Sequence, residues 1–178
     1  SEKLCAMLGI EGNISRIEAF DISNLGSSGI CAAMTVFRDG KPVKRDYRRF
    51  RIKDLDSPDD YYSMYQVVYR RYSHYLNGDK GFDILPDLLL IDGGQGQVSS
   101  AERALNELGI TNLPVFGMVK DTKHRTRALV NSSGSEIGIK SEQMIFVLIG
   151  TIQEETHNTA IAYQKKLRDD EIGSDLTK

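Results

Sequence analysis

Asp87-Leu88-Leu89-Leu90-Ile91-Asp92-Gly93-Gly94 is the stretch on which the reading of this chain turns. Asp92 closes an apolar run that reads as a buried strand, Leu85 to Ile91, and the glycines behind it let the backbone turn sharply into a helix. A second run has the same form: Arg16-Ile17-Glu18-Ala19-Phe20-Asp21-Ile22-Ser23 sets Asp21 at the end of a strand read as Ile14 to Ile22. A carboxylate at the C-terminal end of a buried strand is held on a rigid element where the sheet opens to solvent. Two of them on neighbouring strands make a divalent-metal site. The order of the remaining elements decides whether they are neighbours.

Residues 1–13 read as a short helix or linker ending at Gly9 and Gly12. Ile30 to Phe37, almost wholly apolar, predicts a strand buried on both faces. Asp39-Gly40 supplies a turn into a third strand, Pro42 to Ile52, on which period two sets Arg45, Tyr47, Arg49 and Arg51 on one face. Ser57-Pro58-Asp59-Asp60 predicts a helix start with Ser57 as cap. Tyr61, Tyr65, Val68, Tyr72 and Tyr75 then recur at helical spacing and mark a packing face. After the Leu85–Ile91 strand comes a helix, Gly96 to Leu108, stopped by Gly109, and a strand, Val115 to Val119, reached by a crossover and so parallel to its predecessor. Lys120 to Gly138 is a polar excursion with strand-like pieces at Ala128–Val130 and Glu136–Ile139. A long helix begins at Ser141-Glu142, with Ile145, Leu148, Ile149, Ile152, Thr156, Ala160 and Tyr163 as its buried stripe.

This order is β-β-β-α-β-α-β, a loop and a long α. Three antiparallel strands followed by two βα units is the ribonuclease H-like arrangement: an α/β fold with a mixed five-stranded sheet flanked by helices. In it the first strand lies centrally beside the fourth and parallel to it, so Asp21 and Asp92 emerge at one end of adjacent strands, about 5 Å apart at the backbone.

With 178 residues, 40% of them hydrophobic and 27% charged, the chain suits one globular domain with a sizeable core. No apolar run reaches the ~18 residues of a membrane helix, and no secretory signal is present. Cys5 and Cys31 lack a C-x-x-C spacing and read as free thiols of a reducing cytoplasm. The net charge is −2, but it is segregated: Arg38 to Lys53 holds eight Lys or Arg against two Asp, and Lys120 to Arg127 holds four against one, with His124. Basic patches beside an acidic site suit a polyanion held over a metal.

Gly93-Gly94-Gln95-Gly96 is neither G-x-G-x-x-G nor a P-loop with its lysine, which argues against nucleotide hydrolysis. The glycines leave room for a phosphate beside the metal. His157 is the third candidate: it lies on the last helix one residue off the buried stripe, with Glu154 on its face and Glu155 nearby. The fold brings that helix back over the two strand ends, where a histidine can complete a metal shell or exchange a proton with water and leaving group. His74 and His124 lack such a setting and read as structural or surface residues.

Arg16-Ile17-Glu18-Ala19-Phe20-Asp21-Ile22-Ser23 resembles the R-I-E-x-F-D-I-S signature of the UvrC family, the incision component of the excinuclease of bacterial nucleotide excision repair. Asp46-Tyr47-Arg48-Arg49-Phe50, Asp59-Asp60-Tyr61 with Arg70-Arg71-Tyr72, and Pro86-Asp87-Leu88 through Gly93-Gly94 are similar to it too. Glu155-Thr156-His157 with Ala160-Ile161 resembles its last motif, E-x-H-x-x-A-I. The resemblance covers residues 16 to 166 and only that family's C-terminal endonuclease domain. It implies a ribonuclease H-like fold, a catalytic Asp-Asp-His trio falling on Asp21, Asp92 and His157, and cutting of damaged double-stranded DNA on the 5′ side of a lesion. Family members often carry Arg before the acidic pair and after the His of the last motif, where this chain has Gln153 and Asn158.

The expectation is a metal-dependent DNA endonuclease domain at 14–167, preceded by a linker or short helix (1–13) and followed by a polar tail (168–178) leading to a DNA-binding region outside this fragment. Asp21, Asp92 and His157 are expected to hold Mg²⁺ or Mn²⁺, with Ser23 and Glu155 supporting them. Arg48, Arg49, Arg51, Lys120, Lys123 and Arg125 are the candidates for gripping phosphates, contacts that position without reading sequence. A UvrB-type helicase is the expected partner, through regions outside the fragment, and the unit is expected to be a cytoplasmic monomer. The alternative is a non-catalytic DNA- or partner-binding module on the same fold.

Overall fold

The computed structural model describes residues 1–24, 29–52 and 59–176. Its helices are α1 (Glu2–Leu8), α2 (Asp60–Leu76), α3 (Gln95–Glu107) and α4 (Gln143–Leu176). Its strands are β1 (Arg16–Asn24), β2 (Ile30–Arg38), β3 (Lys41–Pro42), β4 (Arg48–Ile52), β5 (Leu88–Ile91), β6 (Val115–Lys120), β7 (Thr126–Val130) and β8 (Glu136–Gly138). They form one open sheet in the order β3-β2-β1-β5-β6-β7-β8, with β4 also on β2.

The five expected strands stand in the ribonuclease H-like order, with β1 parallel to β5 and β5 parallel to β6. The sheet is wider than the five strands expected, reaching eight among the described residues. The two strand-like pieces of the polar excursion continue it as an antiparallel extension, β7 on β6 and β8 on β7. The single expected strand from Pro42 to Ile52 is broken. A 3-10 turn at Lys44–Asp46 separates β3 from β4, and both pair with β2 at different heights. Arg45 therefore lies in that turn and does not share a strand face with Arg49 and Arg51. Ser57, Pro58 and Lys53 lie outside the described residues; the cap of α2 is Asp59, whose carboxylate accepts from Tyr62 N at 3.0 Å.

Period two divides the sheet into two cores. Phe20 of β1, Ile30, Ala32, Met34 and Val36 of β2, and Leu89 and Ile91 of β5 face α2 and α3. Ile17 and Ala19, Phe37, and Leu88 and Leu90 face α1 and α4, where Leu4, Cys5, Ile145, Ile149 and Ile152 cover them. The α2 stripe is buried at Val68 and Tyr72 but opens toward its start, where Tyr61 is exposed.

Glu18 projects from β1 into the α2 layer and is fully buried. Its carboxylate accepts from Arg16 Nε at 3.0 Å, from Arg71 Nε at 3.2 Å and Nη2 at 3.0 Å, and from the Tyr72 hydroxyl at 2.8 Å. Arg71 also donates to the carbonyls of Phe82 and Ile84, at 2.8 and 2.7 Å, tying α2 and the following loop to the central strand. Removing one partner from a buried pair leaves a desolvated charge. Arg71→Met is therefore expected to cost about 3 kcal/mol in urea denaturation; a change below about 0.5 kcal/mol would show that the network is not what holds α2 to β1.

Candidate metal centre

The backbone brings the two carboxylates together. The parallel ladder places Phe20 opposite Ile91, and Asp92 N donates to Phe20 O at 2.9 Å, so Asp92 stands beside Asp21. Alternation then aims both the same way: Asp21 is in phase with Ile17 and Ala19, and Asp92 with Leu88 and Leu90, all on the α4 face. Asp21 is not the last residue of its strand, which continues to Asn24.

Four polar pins fix α4 across the sheet. Thr126 Oγ1 of β7 donates to Gln153 Oε1 at 3.0 Å; Thr35 Oγ1 of β2 and Thr156 Oγ1 lie 2.7 Å apart; Tyr47 Oη donates to Glu155 Oε1 at 3.1 Å; and Ser23 Oγ of β1 donates to Gln164 Oε1 at 2.6 Å. Residues 153 and 156 are inward-facing, which turns His157 over the strand ends. One ligand atom from each of Asp21, Asp92 and His157 lies within 4.8 Å of the others, a two-oxygen, one-nitrogen donor set suited to a divalent ion. Ser23 and Glu155 reach this site only as anchors of α4. Thr35, Thr126 and Gln153 do the same, and polar residues inside otherwise apolar strand and helix faces were their only sequence signal.

The site is crowded with negative charge. The side chains of Asp21 and Asp92 are 10% and 6% exposed, whereas His157 is 52% exposed. Burial and then the neighbouring Asp92 push the Asp21 carboxyl up to about 6, against the pull of His157 and Lys120. His157 Nδ1 lies 3.1 Å from Asp21 Oδ2, and Lys120 Nζ lies 3.3 Å from Asp92 Oδ1. Lys120 follows a register shift in the β6–β7 pairing, the kind of bulge that re-aims a side chain. Two carboxylates with too little positive charge, opening to solvent through a half-exposed histidine, fit a divalent cation. Cys31 and Cys5 are both free, and burial followed by Asp21 raises the Cys31 thiol to about 11.

The Gly93–Gly96 turn adopts no left-handed backbone; Gly94 is extended, at φ −93° and ψ −160°. Crowding explains Gly93 and Gly96, where an added Cβ would meet Gln97 and the Tyr61 ring, but not Gly94, where a Cβ meets nothing within 4 Å. A Cβ on Gly93 would stand 2.5 Å from Gln97 Cγ, and one on Gly117 of β6 would stand 2.3 Å from the Gly93 carbonyl. The turn lines a cleft of about 1040 Å³ with Asp59, Tyr61, Asp92 and Lys120. Lys120 also borders a second cleft, of about 620 Å³, walled by His124, Arg125 and one side of α4.

The basic candidates separate. Arg49 and Arg51 project from β4 toward α4, Arg49 over the Tyr163 ring at 5.8 Å and Arg51 within 3.7 Å of Glu171. Arg48 points to the opposite face, where it donates to the carbonyls of Arg45, Tyr47 and Gly81. Arg125 pairs with Asp121 at 3.5 Å, and Lys123 is exposed in the same loop. His74 is held by Asp79 at 2.7 Å, and His124 lies on the surface.

The UvrC RNAse H endonuclease domain family matches residues 5–161. UvrABC system protein C of Caldicellulosiruptor saccharolyticus is 45% identical over 91% of this chain and 26% of its own length; that of Acetivibrio thermocellus is 42% identical over 94% and 29%. The chain thus spans between a quarter and a third of the length of these curated relatives. Among solved structures, human ENDOV superposes with a TM-score of 0.55 at 11% identity, covering 86% of this chain and 85% of that one. Endonuclease V of Ciona intestinalis, in complex with a 24mer DNA containing an inosine followed by a ribo-adenosine, gives 0.52 at 12% identity, covering 87% and 88%. Both likenesses are of fold.

The raised Asp21 carboxyl has a consequence for stability. Its folded value stands above the unfolded one, so its ionised form weighs against folding at neutral pH, and the penalty fades as pH falls through about 6. In EDTA at pH 7.5, Asp21→Asn is expected to raise the melting temperature by the equivalent of ~1–2 kcal/mol, with the gain shrinking toward pH 4. An equal or lower melting temperature at pH 7.5 would contradict the charge crowding.

Proposed function

The chain belongs to the UvrC RNAse H endonuclease domain family, and from that premise we propose that it is a metal-dependent endonuclease unit cutting one strand of damaged double-stranded DNA, on the 5′ side of a lesion, in nucleotide excision repair. The convergence of Asp21, Asp92 and His157 within 4.8 Å is the observation that supports this reading most directly.

Asp21 and Asp92 would hold Mg²⁺ or Mn²⁺, with His157 close enough to add a nitrogen donor. When bound, such an ion supplies charge neutralisation at the scissile phosphate and a more acidic water. Asp21 orients the His157 ring through Nδ1, which leaves Nε2 to exchange a proton with solvent at the open side of the site. Lys120, held by Asp92 at 3.3 Å, borders both clefts and meets a phosphate entering from either. Arg49, Arg51, Lys123 and Arg125 position the DNA backbone without reading sequence. Arg48 supports them by bracing the 3-10 turn and the Gly81 loop.

Residues 14–167 form the cutting unit together with α1, whose Leu4, Cys5 and Leu8 pack into its core, and α4 continues beyond residue 167 to Leu176, toward a DNA-binding region. Lesion recognition belongs to the rest of the protein and to a UvrB-type helicase. The whole acts as a cytoplasmic monomer; no described helix is long and apolar enough to cross a membrane.

In the full-length protein, Asp21→Asn and Asp92→Asn are each expected to lower 5′ incision of a lesion-bearing duplex at least a hundredfold, with DNA affinity nearly unchanged, and EDTA should abolish incision by the parent. Retained incision by either variant would overturn the assignment. Mn²⁺ soaked into crystals and absent between the two aspartates would favour the non-catalytic binding module.

A further inference from the structure

The cleft between the β6–β7 loop and α4 has two unlike walls. Lys120 and Arg125 make one of them cationic, with His124 beside them; Phe146, Val147, Gly150 and Thr151 lead along α4 toward His157, with Glu154 the one carboxylate in the lining. Asp121 holds the loop in shape: its Oδ1 accepts from Lys123 N at 2.8 Å and Arg125 N at 3.0 Å, and Lys140 and Arg125 flank its Oδ2 at 3.4 and 3.5 Å. His124 is thereby kept at φ 62°, a strained setting for a non-glycine residue.

Gly150 is the anomaly of the opposite wall. A glycine inside a helix costs about 1 kcal/mol relative to alanine, and nothing in the fold requires this one. It is not left-handed, and a Cβ built on it meets no atom within 4 Å. What its missing side chain changes is the cleft, which it leaves open beside the half-buried Phe146 ring and the exposed Val147. An apolar, partly aromatic floor under a cationic rim matches one nucleotide, its base on the floor and its phosphate at the rim. Gly150 and His157 are separated by roughly 10 Å of helix, about three stacked nucleotides or fewer if the strand is extended.

We propose that this cleft is a nucleotide subsite, taking one unstacked base of the substrate strand within three nucleotides of the cut. The proposal rests on the endonuclease reading above and adds to it which part of the DNA enters beside α4.

The test uses the full-length protein with Gly150→Leu, which fills the floor, and Thr151→Leu, which does so from an exposed position. Gly150→Ala serves as a folding control and is expected to melt higher than the parent. Both leucine variants should raise KM for a lesion-bearing duplex, and its Kd by fluorescence anisotropy, about tenfold, while Mn²⁺ still raises their melting temperature as it does the parent's. A tetrahydrofuran (baseless) nucleotide is then scanned singly through the three positions on either side of the cut. One position should restore KM and Kd in the leucine variants, because the leucine fills the place of the missing base. Unchanged KM and Kd in both variants, or losses that no baseless position restores, would overturn the subsite. Should Asp21→Asn still cut, the metal-centre reading fails, while the Kd comparison still decides the subsite.

Discussion

Parallel pairing of β1 with β5 ends in a hydrogen bond from Asp92 N to Phe20 O, and that bond sets two carboxylates side by side at the rim of the sheet. Backbone pairing leaves them no freedom to separate, and alternation points both to the α4 face. Their repulsion is then expressed as chemistry. Burial and the neighbouring charge lift the Asp21 carboxyl to about 6, His157 leans on one carboxylate and Lys120 on the other. A site that needs borrowed cations to stay ionised is organised for a divalent one.

The two faces of the sheet divide the labour. On the α2 face, Glu18 gathers Arg16, Arg71 and Tyr72 into a fully bonded buried network, so the charge inside that layer is compensated and structural. On the α4 face, the hydrogen bonds at Ser23, Thr35, Tyr47 and Thr126 hold a helix of 34 residues in one register over the strand ends. There the paired carboxylates of Asp21 and Asp92 are left under-compensated at a site that opens to solvent. The clefts on either side meet at Lys120.

Apolar runs ending in aspartate, the helical stripe of α4 and the order of elements were legible because burial imposes periods of 2 and 3.6 on any sequence that folds this way. Boundaries within polar segments were less so. β3 and β4 read as one strand because the 3-10 turn at Lys44–Asp46 uses residues that a solvated strand face would also carry. β7 and β8 were visible only as strand-like pieces, since strands of five and three residues are too short to show a period, and β8 is an exposed edge.

The sequence alone determined that Asp21 and Asp92 close apolar runs, that His157 lies just off the buried stripe of the last helix, and that basic charge is segregated into two runs. Tertiary structure decided what each charge does. Pairing register joined the aspartates, polar pins on α4 turned His157 toward them, and a bulge sent Lys120 to Asp92. Pleating separated Arg48, spent on carbonyls of one face, from Arg49 and Arg51 on the other. The reason is physical: periodicity is local and can be read along the chain, whereas the partner of a charge is set by distance between elements remote in sequence.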